Sequence, residues 1–295
     1  MGEKCNLEFN LDNDSLFFII QYYLLLTTSN LLPITYLQFA AKNLLLAFYP
    51  MNTTISIVIP AFEEQARLGD SLRKILAYIE ENTLEAELIV VDDGSGDETA
   101  EIARRTCAEF PAIKTNVIRY EKNRGKGYAV KTGLLASVGD IALFSDADLS
   151  TPIEELPKLV KLIRADKFDI TFGSRELDKS LINTHQSWRR EQGGRVFNFV
   201  VRSMTGLPFL DTQCGFKAFN MQKFRPLLPL MQIERFGFDI EFLYVAYHKG
   251  LRLKEIPVVW NHCEGTKVEM WRDSRRTFNE VRQIRRNAKQ GKYNL

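Results

Sequence analysis

The sequence predicts an α/β fold with a doubly wound, mostly parallel sheet, and three observations carry that prediction. From Met51 onward, short β-branched runs alternate with segments whose apolar residues recur at helical spacing. Acids and turn residues cluster just after several of these runs, where a parallel sheet presents its ligand-binding edge. The 295 residues are 45% hydrophobic and 26% charged with 17 Gly and 10 Pro, a globular composition that excludes collagen-like and low-complexity chains.

Taken in order, residues 1–50 stand apart from the rest. They hold Lys4 and Lys42 as their cations, four acids near the start, and a 19-residue uncharged stretch over 16–34. That length matches one membrane-crossing helix, although Gln21, Thr27, Thr28, Ser29, Asn30 and Pro33 weaken it. Met51 immediately before the first patterned strand offers a competing reading, an untranslated leader, and both stay open. The expected organisation is therefore a hydrophobic segment over 1–50, a catalytic domain over 51–270 and a basic helix over 271–295.

Residues 55–59 form the first strand, ended by Pro60, and Leu68, Leu72, Ile75, Leu76 and Ile79 give the helix after it. Residues 87–91 are the next strand, with Asp92-Asp-Gly-Ser-Gly96 as its loop and Ser95 or Asp97 as cap of a helix carrying Ile102, Ala103 and Phe110. Residues 116–120, 140–144 and 168–172 supply further strands, and Thr151-Pro-Ile-Glu154 reads as a capping box. The 173–237 segment is irregular and predicted to cover the site, 238–247 is helical, and 251–260 is strand-like. Residues 271–295 carry eight Lys or Arg, with Phe278, Val281, Ile284 and Ala288 on one stripe. That stripe either packs on the domain or lies on anionic lipid headgroups.

Charge narrows the partners. A net charge of +2 gives no global argument for nucleic acid, so nucleic-acid binding is not expected. Cys5, Cys107, Cys214 and Cys263 are far apart, which suggests neither a zinc site nor a disulfide scaffold and makes reduced, cytoplasmic thiols the default. His185, His248 and His262 are scattered and carry no chemistry.

Three segments carry the chemistry. In Phe144-Ser-Asp-Ala-Asp148 two carboxylates, Asp146 and Asp148, end a hydrophobic strand, and alternation would turn both toward one cation. Hard Mg²⁺ or Mn²⁺ takes such oxygens together with substrate phosphates, whereas an isolated D-x-D more often caps a helix or faces solvent. Val90-Val-Asp-Asp-Gly-Ser95 places a carboxylate where it can meet a base or a ribose. Asn123-Arg-Gly-Lys-Gly127 lacks the spacing of a phosphate-binding P-loop, and no G-x-G-x-x-G follows the first strand, so an ATPase and a dinucleotide oxidoreductase are both excluded.

Together with Ile57-Val-Ile-Pro-Ala-Phe-Glu-Glu64, these motifs resemble, in order and over most of residues 54–270, the family 2 glycosyltransferases of GT-A fold. Glu63 stands where that family usually has asparagine. Asp211-Thr-Gln-Cys-Gly-Phe-Lys217, Glu234-Arg-Phe-Gly-Phe-Asp239 and Gly265-Thr-Lys267 look most like the dolichyl-phosphate β-glucosyltransferase branch. The resemblance implies a Rossmann-like GT-A sheet, a nucleotide-sugar donor such as UDP-glucose, a polyprenyl phosphate acceptor, a divalent metal cofactor and work at a membrane surface. It implies that Pro60, Phe62, Glu64 and Asp93 line the nucleoside pocket, with Asp93 on the base. Asp146, Ala147 and Asp148 would hold ribose, diphosphate and metal, with Asp148 the principal ligand. Arg175 and Lys267 would meet phosphate oxygens, and Arg189, Arg190, Arg195 and Arg272 are further candidates. Lys217 and Gln213 either contact substrate or hold their loop. If a general base is needed, Asp239 is the first candidate, with a helix-capping role as its alternative, and Glu241 the second; a phosphate acceptor, already anionic near neutral pH, needs none. GDP-mannose as donor, a soluble or glycan acceptor, or a non-catalytic nucleotide-sugar binder are the alternatives.

Overall fold

A computed structural model describes residues 54–184, 188–261 and 270–295, all within the unit Thr53–Leu295. The sequence-predicted 1–50 segment, with its uncharged 16–34 stretch, lies outside the described residues, as do His185 and His262.

Seven strands form one sheet in the order β3-β2-β1-β4-β7-β5-β8. Strands β1 (Ile55–Ala61), β2 (Ala86–Asp92), β3 (Lys114–Arg119) and β4 (Ile141–Ser145) run parallel, joined by helices α1 (Leu68–Glu81), α2 (Thr99–Ala108) and α3 (Lys126–Ala136). Helix α4 (Leu156–Arg164) leads to β5 (Ile170–Ser174), which pairs parallel with β8 (Leu253–Pro257). Helices on both faces leave no exposed side to the central strands, which is why β1 and β4 read as near-continuous apolar runs. Buried Ser56 interrupts β1, its hydroxyl donating to Glu87. Ile57, Ile59 and Leu143 join α1, α2 and α4 in one core, while Val58, Ala142 and Phe144 join α3 in the other. The approach of α3 to β1 is close: a Cβ on Gly133 would lie 2.2 Å from Val58 Cγ1.

The 173–237 segment is more regular than its composition predicts. It contains the short β6 (Ile182–Thr184), α5 (Trp188–Thr205) and β7 (Phe216–Asn220). Strand β7 enters the middle of the sheet antiparallel to both β4 and β5, pairing Lys217 with Phe144 and with Phe172. The predicted 251–260 strand is two strands, β8 and β9 (Trp260–Asn261), because Pro257 ends the ladder, and β9 pairs with β6. The Thr151-Pro-Ile-Glu154 capping box does not form: Pro152 precedes a short 3₁₀ turn with no side-chain cap, and the Thr151 hydroxyl faces Cys214 Sγ at 3.9 Å.

Helices α6 (Phe238–His248) and α7 (Met270–Lys289) close the α3 side of the sheet. Val281, Ile284 and Tyr293 are fully buried in the same core as Phe144 and Phe242, and Ala288 packs against it, so most of the apolar stripe of the basic helix is spent on packing, while Phe278 at the stripe's N-terminal end stays exposed. The Tyr293 hydroxyl donates to buried Glu241 at 2.5 Å, and Glu241 also accepts from the Gln232 and Ile233 N–H groups. Burial pushes the Glu241 carboxyl up, opposed by these hydrogen bonds. Among the described residues, no helix is long and apolar enough to cross a membrane.

Candidate active site

The order 3-2-1-4 reverses at β1, and in such sheets the crevice outside the carboxyl ends of the strands beside the reversal is where a ligand fits. A cleft of about 390 Å³ lies there. The end of β1 supplies Pro60, Ala61, Phe62 and Glu64, the end of β2 supplies Asp93, and the turn after β4 supplies Asp146, Ala147 and Asp148. Seven of the residues expected at the site therefore meet in one cleft, from three chain segments.

The two paired acids reach the cleft by a different route from the expected strand alternation. Strand β4 ends at Ser145, and residues 146–149 form a turn closed by the Leu149 N–H on the Asp146 carbonyl at 3.1 Å. Leu149 takes φ +48°, a left-handed conformation that costs energy for a side chain of its kind. Asp148 Oδ1 accepts from the Ser150 N–H at 2.9 Å. Asp146 N–H donates to the Gly215 carbonyl at 3.0 Å, and a Cβ on Gly215 would lie 2.1 Å from Asp146 Oδ2. Only glycine leaves room for that carboxylate.

Asp93 is 3% exposed, and its oxygens are taken by the loop after β3. Oδ1 accepts from Arg124 N–H and Oδ2 from Gly125 N–H and Asn123 Nδ2, each at 2.8 Å. The carboxylate expected on a base therefore organises residues 123–125, which themselves line the cleft through Asn123 and Gly125. Glu64 is ion-paired with Arg67, also on the cleft wall.

Four cations line the cleft that the sequence did not single out: Arg67, Lys126, Arg235 and Arg276. Lys126 Nζ lies 2.6 Å from Asp146 Oδ1. Burial opposes its charge, but Asp146, Asp239 and Asp148 outweigh burial and hold its pKa above the ordinary lysine value. Arg276 comes from α7, one turn beyond the expected Arg272. Sequence signals exist for Lys126, in the glycines that flank it, and for Arg235, inside the Glu234–Asp239 motif, though neither signal assigns a role of its own; nothing local marks Arg276.

Other expected residues lie elsewhere. Lys217 has no exposed surface; its ammonium donates to the Cys214 carbonyl and to Asp239 Oδ1, each at 2.6 Å, and lies 5.3 Å from the Phe144 ring. It is a correction to the expected acceptor contact, since a sealed ammonium meets no substrate. Asp239 sits in the first turn of α6, 5% exposed, with Gly237 rather than Asp239 at the N-cap. Its pKa is raised by burial, against the pull of Lys217 and Lys126. Glu241, the second base candidate, is sealed by Tyr293 and the 232–233 backbone. Arg175 grips buried Asp211 through Nε at 2.6 Å and Nη2 at 2.8 Å, so its fork is filled by protein. The Cys214 thiol is pushed up to about 12 by burial and by Asp211, which leaves it inert. Lys267 and the side chains of Arg189, Arg190, Arg195 and Arg272 lie outside the described residues.

The donor set suits a hard divalent cation. Two carboxylates at a strand end, one of them in a cradle that a Cβ would fill, are what such an ion takes when phosphate oxygens complete its shell. Among the described residues no group of three His, Cys, Asp or Glu could hold a metal without such help.

Residues 56–228 match the model of glycosyl transferase family 2. Dolichyl-phosphate beta-glucosyltransferase of Dictyostelium discoideum is 31% identical, over 79% of this chain and 74% of its own length. The Homo sapiens protein of the same name is 34% identical over 74% of this chain and 70% of its length, and that of Saccharomyces cerevisiae 31% over 75% and 70%. In fold, the chain resembles glucosyl-3-phosphoglycerate synthase of Mycobacterium tuberculosis, solved with Mn²⁺ and UDP-glucose, at TM-score 0.59 and 20% identity over 79% of each chain. The family match spans more than half of the sequence and a relative 31% identical covers 79% of it, so the chain belongs to glycosyl transferase family 2.

Proposed function

We propose that this glycosyltransferase moves glucose from UDP-glucose to a polyprenyl phosphate of the dolichyl type, with inversion at the anomeric carbon. A divalent cation, Mg²⁺ or Mn²⁺, would be held by Asp146 and Asp148. The observation that carries the reading is the layout of charge in the cleft. Acids from the ends of β2 and β4 line one space the size of a small ligand together with Arg67, Lys126, Arg235 and Arg276, with Lys126 directly against Asp146. A diphosphate between two uncharged ring systems matches that pattern. Glucose and the lipid phosphate are supported by the relatives' names, and the uridine donor by the fold neighbour solved with UDP-glucose.

In this reading Pro60, Phe62 and Glu64 pack the nucleoside, and Asp93 shapes its pocket through the 123–125 loop. Asp146, Ala147 and Asp148 line the ribose and diphosphate. The bound cation supplies Lewis-acid stabilisation of the departing diphosphate. Lys126, Arg235 and Arg276 add fixed positive charge where negative charge grows, and preorganised charge of this kind lowers the barrier without reorganisation. Lys267 and Arg272 are assigned to the acceptor phosphate, with Arg175 and Lys217 bracing the Asp211–Lys217 loop behind it. A phosphate monoester has a second pKa of about 6, so near neutral pH it is already a nucleophilic anion. Asp239, tied to Lys217, then serves as counter-charge rather than as base. The acceptor's lipid tail and the basic outward face of α7 support a position on the cytoplasmic surface of a membrane.

The test is transfer from radiolabelled UDP-glucose, with GDP-mannose in parallel, to a short polyprenyl phosphate by the full chain, with and without Mn²⁺ or Mg²⁺. Metal-dependent labelled glucolipid is expected, with Asp148→Ala slower by at least about 100-fold, the scale of removing one electrostatic stabiliser. Labelling from GDP-mannose instead would overturn the donor. Donor hydrolysis without lipid product would move the acceptor to a soluble sugar or glycan, and full activity of Asp148→Ala at low metal would overturn the metal's part.

A further inference from the structure

The Asn123–Gly127 segment fails as a P-loop, yet its glycines are dictated by packing. A Cβ on Gly125 would lie 2.5 Å from the Glu234 carbonyl oxygen, and one on Gly127 would lie 2.5 Å from Phe238 Cβ. Gly125 also takes φ +117°, open to glycine alone, and the Tyr128 N–H donates to the Glu234 carbonyl at 2.9 Å. Both flanks of Lys126 are thus pressed onto the loop before α6, while its own side chain lines the cleft and reaches Asp146 Oδ1 at 2.6 Å. The other oxygen of that carboxylate faces Gly215.

We propose that Lys126 is a positioning residue that holds Asp146 Oδ1 in the metal-free protein and yields it to the divalent cation, so that ammonium and cation compete for one carboxylate oxygen. The inference rests on the metal-assisted reading above. Electrostatics supports it. The ammonium groups of Lys126 and Lys217 interact with the carboxylates of Asp146 and Asp239, with Asp148 acting on Lys126 as well. This nearly balanced set lets three acids gather in a half-buried cleft without a metal. Arrival of a divalent cation tips the balance positive and frees Lys126 for an incoming nucleoside diphosphate. The diphosphate then favours the cation by accepting the displaced ammonium as well as by ligating the metal, and coupling of this sort is reciprocal.

The test measures Mn²⁺ affinity of the full chain without nucleotide, by the electron paramagnetic resonance of free Mn²⁺. Wild type is compared with Lys126→Met, Lys126→Gln and Lys126→Arg, and with Arg276→Met, which removes a cleft cation paired with Glu280 rather than Asp146. Lys126→Met and Lys126→Gln are expected to bind Mn²⁺ at least about 10-fold more tightly, within the usual span of coupled sites. Lys126→Arg should return the affinity toward wild type, and Arg276→Met should change it less than about 3-fold. Equal tightening in Lys126→Met and Arg276→Met would assign the effect to the general field and overturn the contact. Unchanged or weaker binding in whichever neutral variant folds would also overturn it. If wild type binds no Mn²⁺ even with UDP present, the metal-assisted reading falls too; if it binds Mn²⁺ with UDP and only the Lys126 expectation fails, that reading stands.

Discussion

Glu63, between the cleft-lining Phe62 and Glu64, is exposed and holds φ +51°, and its N–H donates to Ser95 Oγ at 2.8 Å. A left-handed backbone costs an ordinary residue roughly 1–2 kcal/mol, while asparagine tolerates it through local hydrogen bonding. Glu63→Asn is expected to stabilise the protein by about 1 kcal/mol, raising Tm by about 2–4 °C for a domain of this size. A melt with no rise would show that the glutamate's own contacts offset the backbone cost. The same residue shows how far single positions were legible. Its departure from the family's asparagine was visible in sequence, but not the positive φ that gives the departure its meaning. Asp146 and Asp148 were readable as a pair, yet a turn brings them together and not strand alternation. Lys217 carried a charge that sequence reasoning sends to a substrate; only the fold shows Asp239 and a carbonyl sealing it. Arg276 could not be found at all, because nothing local tells an arginine over a cleft from one in solvent.

Among elements, β1, β2 and β4 were legible because strands covered on both faces leave near-continuous apolar runs. Strand β7 was not, since Phe216-Lys-Ala-Phe-Asn220 places a lysine in the middle of a sheet and is too short to show a period. The edge of the sheet is tied by one acid. Asp169, 3% exposed just before β5, accepts from Arg252 N–H at 2.8 Å, Arg252 Nη2 at 2.7 Å and Lys223 Nζ at 2.7 Å. It joins β5 to the start of β8 and to the helical turn after β7. Burial raises its pKa, but the hydrogen bonds from Arg252 and Lys223 outweigh burial and hold the carboxyl well below the usual range. A depressed folded pKa contributes stability that is complete above the unfolded value, near 3.9, and is lost as pH falls through the folded value. Asp169→Asn is expected to lose about 2 kcal/mol at pH 7, a figure moderated by the half-exposed partners. In urea titrations the gap to wild type should narrow as pH drops below about 4. A gap that stays constant to lower pH would mean that shape, not charge, makes the tie.

For the whole molecule a net charge of +2 conceals a polarised surface. Helix α7 turns Val281 and Ile284 inward and leaves Arg275, Arg282, Arg285, Arg286 and Lys289 exposed, with Lys292 just beyond it. Val281 and Ile284 are packed on the domain while Phe278 is 38% exposed, so among the described residues the outer face of this helix is chiefly cationic, and attraction of this helix to an anionic membrane would rest mainly on charge. Each cation near an anionic surface contributes about 1 kcal/mol at physiological salt and fades within a Debye length of about 8 Å. Several together would suffice to concentrate the protein at an anionic membrane surface, where the proposed lipid phosphate acceptor would lie. Sedimentation with phosphatidylserine-containing vesicles should therefore show binding at low salt that falls steeply with added NaCl. The triple variant Arg282→Glu, Arg285→Glu, Arg286→Glu should lose most of that salt-sensitive binding while keeping its fold, since all three side chains point away from the core. Whatever binding persists on neutral phosphatidylcholine vesicles at high salt would come from apolar groups, exposed Phe278 included, rather than from charge. Equal binding of wild type and triple variant to the anionic vesicles would remove α7 from membrane recruitment.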